Sequence, residues 1–206
     1  MIKKKLNEID SSYPGFWQSS WLLIVLFIAY TLSFIDRQIL TLLVDPIQKS
    51  IGLSDFEISL LHGFAFAIFF SIAGLPLGRL ADHVNRRVII GTGIATWSLM
   101  TALCGLAKSF SHLFVARMCV GIGEASLMPS AYSMLSDAFP PKKLNTAIAI
   151  FSMGGTLGTG LALIGGGALI TFVSTMDVLN LKAVFGFESW QVCFLLVGLP
   201  GLLVAL

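Results

Sequence analysis

The sequence predicts an all-α polytopic membrane protein, and three observations carry that expectation. Of its 206 residues 56% are hydrophobic and only 12% charged, where an ordinary soluble domain carries about a quarter. Mean hydropathy is +0.88. The apolar residues also fall into six separate runs, each at or above the roughly 17 residues that a membrane-spanning helix needs. Six buried helices of a soluble protein would need neither so many uncharged runs nor the charge bias between their connections described below.

Residues 1–16 read as a cytoplasmic tail: Lys3, Lys4 and Lys5 are basic, but no cleavable signal follows them. The expected spans are residues 17–44, 56–77, 88–107, 113–135, 146–173 and 190–206. Asp45-Pro46 is expected to close the first, because the residue before a proline is pushed out of helical geometry. Ser54-Asp55 supplies a cap for the second. Trp17, Trp21 and Trp190 fit an interfacial belt. Only residues 174–189 make a connection long enough for a small amphipathic turn of their own.

Orientation follows from lysine and arginine. Lys3, Lys4, Lys5, Arg79, Arg86, Arg87, Lys142 and Lys143 fall on the amino-terminal side, and only Lys49, Lys108 and Lys182 on the other. Eight against three places the amino terminus in the cytoplasm.

The functional reading centres on FVARMCVGIGEASLMP, from Phe114 to Pro129. Arg117 and Glu124 lie in this apolar run seven residues apart, so with Gly121 they share one helix face. Each charge at mid-bilayer costs at least about 2.5–3.5 kcal/mol. The pair therefore needs partners or a wet cavity, and Asp36 and Arg37 on the first span are the candidates. Counted from the outer ends at 1.5 Å per residue, Asp36 lies roughly 12 Å deep and Glu124 roughly 16 Å. The first helices of two three-helix units thus carry charge at similar depth, as in a 3+3 inverted repeat with a midplane site. Burial favours the neutral form of a carboxyl and a nearby guanidinium its charged form, so Glu124 is suited to exchanging a proton. A fixed ion pair that only ties the first and fourth spans together is the alternative.

Between the second and third spans the sequence reads GRLADHVNRRVII, from Gly78 to Ile90. This closely resembles the signature loop of the major facilitator superfamily, G-x-L-A-D-x-x-G-R-[RK]-x-x-[IL]. Gly78, Leu80, Ala81, Asp82, Arg86, Arg87 and Ile90 match, and Asn85 replaces the second glycine, a residue that also tolerates a left-handed turn. Arg117-x-x-x-Gly121-x-Gly123 is similar to the family's second motif, whose arginine is linked to proton coupling. With Gly-Glu-Ala-x-x-x-Pro from Gly123 to Pro129 and Ile35-Asp36-Arg37-Gln38, the chain looks like the spinster-like branch; the anion:cation symporter branch has similar patterns.

The resemblance implies the major facilitator fold, with this chain as its amino-terminal bundle of six transmembrane helices. It implies a proton-coupled secondary transporter, not an enzyme, moving a small organic anion or a lysolipid-like amphiphile by alternating access. Asp36, Arg37, Arg117 and Glu124 would be the coupling site, and Gly78, Asp82, Arg86, Arg87 and Asp137 the inner gate. Gly121, Gly123, Gly154 and Gly158 are expected to pack helices closely. The proton gradient would be the driving force, with no cofactor and no metal site. Expected partners are membrane lipids, the substrate, and either a missing carboxyl-terminal six-helix half or a second copy; no nucleic-acid surface is present. A proton-independent facilitator and a non-transporting scaffold or sensor are the rival readings.

Overall fold

A computed structural model describes residues 13–177 and 186–205. The basic cluster Lys3–Lys5, Lys182 with its expected amphipathic turn, and Leu206 lie outside the described residues. The described residues form eight helices and no strand: α1 Phe16–Leu42, α2 Val44–Ile51, α3 Asp55–His83, α4 Arg86–Cys104, α5 Phe110–Glu124, α6 Leu127–Ala138, α7 Pro141–Asp177 and α8 Ser189–Val204.

Four of these, α1, α3, α4 and Pro141–Val173 of α7, are long and apolar enough to cross a membrane. The expected fourth span is interrupted. Pro129 has no N–H to give the carbonyl of Ala125, so the ladder breaks there, and Pro129 falls in the first turn of α6, where no donor is needed. Ser126 closes the joint by donating from both its backbone N–H and its hydroxyl to the carbonyl of Gly123.

Four other expectations need correction. Asp45-Pro46 does not close the first span: α1 ends at Leu42, and Pro46 sits in the first turn of α2. The stretch from Gly78 to His83 is the last part of α3, not a loop, which leaves only Val84 and Asn85 to connect α3 and α4. Asn85 adopts no left-handed turn, having φ −60°; it caps α4, its side chain accepting from the Arg87 N–H at 3.0 Å. Trp190 is no interfacial residue. It is 2% exposed and packs edge-on against Phe194 in a core with Ile39, Leu40 and Leu113. Ser54 does cap α3, in a reciprocal box with Glu57.

Helix packing follows the inverted repeat. α1 lies on α7, α3 on α5, α4 on both α5 and α8, and α8 also touches α1. If the first unit (α1, α3, α4) is exchanged for the second (α5–α6, α7, α8), the α1–α7 contact becomes α5–α3. The α4–α8 contact maps onto itself, and α4–α5 becomes α8–α1. The whole set is thus closed under the exchange, as two related three-helix units require.

Close approach at these crossings depends on glycine. A Cβ on Gly158 would stand 2.5 Å from the Thr31 carbonyl oxygen, and one on Gly154 3.0 Å from that of Phe27, so α7 rides directly on the α1 backbone. Gly121 presses on α3, where a Cβ would meet the Phe66 carbonyl at 2.7 Å, and Gly123 faces Gly93 and Trp97 of α4. Gly198 brings α8 equally close to Ser98 and Ala102. Outside these seams the surface is apolar, with Leu75, Ile164 and Leu203 all more than three-quarters exposed.

Gly158 and Gly160 lie on the same helix, but nothing stands within 4 Å of a Cβ on Gly160. Thermal unfolding in detergent should therefore show Gly158→Ala destabilised by about 1–3 kcal/mol from overpacking. Gly160→Ala should be neutral or slightly stabilising, since alanine is the better helix former.

Candidate functional site

Ser33, Arg37 and Thr41 are spaced four residues apart on α1 and so form one polar stripe along a mainly apolar helix. The stripe meets Glu124 at the end of α5. Glu124 is 1% exposed, and its Oε2 accepts from the Ser33 hydroxyl at 2.7 Å and from Arg37 Nε at 2.6 Å. Its Oε1 has no hydrogen-bond partner among the described residues. Arg37 keeps 27% of its side-chain surface exposed, so the ion pair is sealed on the carboxylate side and open on the guanidinium side. One turn further along α1, the Thr41 hydroxyl lies 3.2 Å from His62 Nε2 on α3.

Asp36 points the other way, toward α4, where its Oδ2 accepts from the Thr101 hydroxyl at 3.3 Å. Arg117, 2% exposed, donates from Nη1 to the backbone carbonyl of Asp36 at 3.4 Å. The four charged residues singled out from sequence are therefore brought together, but with pairings that face-sharing does not reveal. Glu124 pairs with Arg37 across helices and not with Arg117, which stands two turns away on its own face, and the α3 backbone lies against Gly121 between them.

Four contributors were missed. Ser33 was legible as the residue four before Arg37, on the same stripe. Phe66 and Phe70, which face Arg37 from α3, have the i,i+4 spacing of one helix face. Nothing in the sequence marks Thr101.

At the opposite end, Arg86 forms an ion pair with Asp137, the last turn of α6, and donates from Nε to the Ala81 carbonyl at 3.3 Å. Asp82, Arg86, Arg87 and Asp137 line a cavity of about 390 Å³ there. Asp82 and Arg87 make no side-chain ion pair among the described residues. Gly78 faces Pro129, with ordinary van der Waals room for a Cβ at 3.8 Å.

The family model described as Major Facilitator Superfamily matches residues 26–206. The chain belongs to the major facilitator superfamily. It is 39% identical to a bacterial homologue of the human lysosomal transporter spinster, solved in an inward-facing, unoccupied conformation; the TM-score is 0.83, covering 93% of this chain and 42% of that one. It is also similar to the zebrafish (Danio rerio) sphingosine-1-phosphate transporter SPNS2, 32% identical over 135 residues, 65% of this chain and 27% of that protein. A probable L-galactonate transporter of Escherichia coli K12 is 28% identical over 184 residues, 89% of this chain and 37% of that protein. The chain thus spans well under half the length of these relatives, and what it matches is the major facilitator fold of spinster-like proteins.

Within that fold, the Arg37–Glu124 pair ties α1 to α5. Breaking a buried pair from one side costs about 3–5 kcal/mol, because a charge is left uncompensated. Arg37→Gln should therefore lower stability by about 3 kcal/mol, and adding Glu124→Gln should recover most of the loss. Thermal unfolding of both variants measures this; simple additivity would show that the two side chains do not interact.

Proposed function

We propose that this chain carries the coupling site of a proton-driven secondary transporter that works by alternating access. The observation that carries the proposal is Glu124 itself: a fully buried carboxyl with two donors on Oε2 and none on Oε1, joined to a guanidinium that is still partly exposed. Intramembrane ionisable groups are functional by default, since their cost is otherwise unexplained. A proton on Oε1 removes the charge that holds Arg37 and so weakens the Arg37 bond to Oε2. Arg37 is then free to take an anionic group from the cavity. Asp36 and Arg117, joined through the Asp36 carbonyl, pass a change at α5 to α1 and, through Thr101, to α4.

The substrate class is a small organic anion or a lysolipid-like amphiphile. Two similar proteins are named for L-galactonate and for sphingosine-1-phosphate, and both molecules offer an anionic group to such an arginine. Arg86, Asp137, Asp82, Arg87 and Gly78 would form the inner gate. The ion pair there is half exposed, so it is weak enough to open in each cycle. The excess of basic residues on the amino-terminal side supports a cytoplasmic position for that gate, and the membrane would be the cell membrane. Rocking requires a second bundle, supplied by a complementary six-helix half or by a second copy.

The test is uptake into proteoliposomes containing the full-length protein, with labelled L-galactonate and a labelled lysophospholipid as probes. Under an imposed pH gradient, Glu124→Gln should reduce accumulation to the level of empty vesicles while downhill exchange continues. Accumulation that survives the substitution would mean that the pair is a static tie. A wild-type protein that moves neither probe, with or without a gradient, would remove the proposed substrate class.

A further inference from the structure

The Arg37 guanidinium has a second set of partners besides Glu124. Its central carbon lies 4.9 Å from the ring centroid of Phe34, 4.7 Å from Phe66 and 5.0 Å from Phe70, all inside the roughly 6 Å over which a ring face attracts a cation. Phe66 and Phe70 sit one turn apart on α3, their rings 5.5 Å apart and 23° from parallel, and make one wall. Phe34, on α1 itself, makes another.

Backbone approach sets these walls in place. Gly121 lets α5 rest against the Phe66 carbonyl and the Phe70 N–H, which draws the α3 wall toward Arg37. Gly155 and Gly158 of α7 leave room for Phe34, whose ring lies 3.1 Å from a Cβ built on Gly155. Tyr30 then meets Phe34 edge-on at 5.0 Å and stacks on Phe151. The Phe34 ring, and the backbone that carries Phe66 and Phe70, are therefore seated against residues with no side chain to displace them.

A proton-exchanging Glu124 must at some stage be neutral, and at that stage Arg37 loses its only ion partner among the described residues. The other ionisable groups within electrostatic reach of Glu124 are Tyr30 and Asp36 on α1 and Arg117 on α5. Asp36 is turned toward Thr101, and Arg117 is of like sign. An arginine left in this state would extend along the helix toward water. We propose that Phe34, Phe66 and Phe70 form an aromatic cage that holds the Arg37 guanidinium in the charge site while its bond to Glu124 is given up. This makes Phe66 and Phe70 positioning residues for the cycle. The inference rests on the proton-coupled reading for its purpose, but not for its geometry.

The experiment is nuclear magnetic resonance of the full-length protein in nanodiscs, with ¹⁵N-labelled arginine and the Arg37 Nε–H assigned by its loss in Arg37→Gln. Ring currents from the surrounding faces shift this proton upfield. In Glu124→Gln, which mimics the neutral acid, the resonance should remain sharp and upfield. In Glu124→Gln with Phe66→Leu and Phe70→Leu it should move to the exchange-broadened position of a free arginine. Tyrosine at both positions should restore it. Release of the resonance in Glu124→Gln alone would overturn the cage, and that spectrum decides the matter even if the leucine variant does not fold. Retention despite both leucines would also overturn it.

In gradient-driven uptake, Phe66→Leu with Phe70→Leu should raise the apparent KM about tenfold, with tyrosine close to wild type. Absence of gradient-driven uptake in the wild type would count against proton coupling, and the spectra would still judge the cage.

Discussion

The structure depends on one carboxylate. Glu124 closes α5 deep in the bundle, and its Oε2 is held by two residues of α1, the Ser33 hydroxyl and the Arg37 guanidinium. A buried charge so placed is tolerable only if the first helices of the two three-helix units come within side-chain reach of each other. α1 packs mainly on α7 and α5 on α3 and α4, so the link between α1 and α5 is made by these polar side chains. Asp36 and Arg117 repeat the cross-link with a carbonyl and a hydroxyl, Thr101, in place of a direct ion pair. α1, α4 and α5 are thereby joined through polar atoms in a molecule that is otherwise apolar.

Glycine makes those distances possible. Gly121 and Gly123 let α5 touch the backbones of α3 and α4, and Gly154 and Gly158 do the same for α7 on α1. Without a hydrophobic difference between lipid and protein interior, helices in a membrane associate through such close contact and through buried polar bonds. Both devices meet at the charge site: the glycine seams bring in the phenylalanine rings, and the rings and Glu124 share Arg37 between them.

Part of this was legible in the sequence. Hydropathy marks the apolar helices, of which four among the described residues are long enough to cross a membrane, and charge depth points to the two-unit symmetry. The glycines at Gly121, Gly123, Gly154 and Gly158 lie at the helix seams where their spacing suggests. The pairing within the site was not legible. Arg117 and Glu124 share a face by periodicity, but which arginine reaches the carboxylate depends on where the bundle sets α1 relative to α5, a tertiary fact. The break between α5 and α6 was hidden for a similar reason: Pro129 marks a missing donor, and hydropathy alone runs straight through it. Asn85 misled in the opposite direction. Asparagine both tolerates a left-handed turn and caps helices, and here α4 begins at Arg86, directly after Asn85, so it serves as the cap.

The central claim is that Glu124 changes protonation within the bundle, and infrared difference spectroscopy tests it directly. The full-length protein in lipid, with ¹³C-labelled glutamate, would be carried from alkaline to acidic pH. The carbonyl stretch of a protonated glutamic acid would then be followed. The account predicts a band that grows on acidification, vanishes in Glu124→Gln, and shifts its midpoint in Arg37→Gln. A Glu124 band that is absent or constant across the whole range would contradict the account and leave the pair as a fixed tie between α1 and α5.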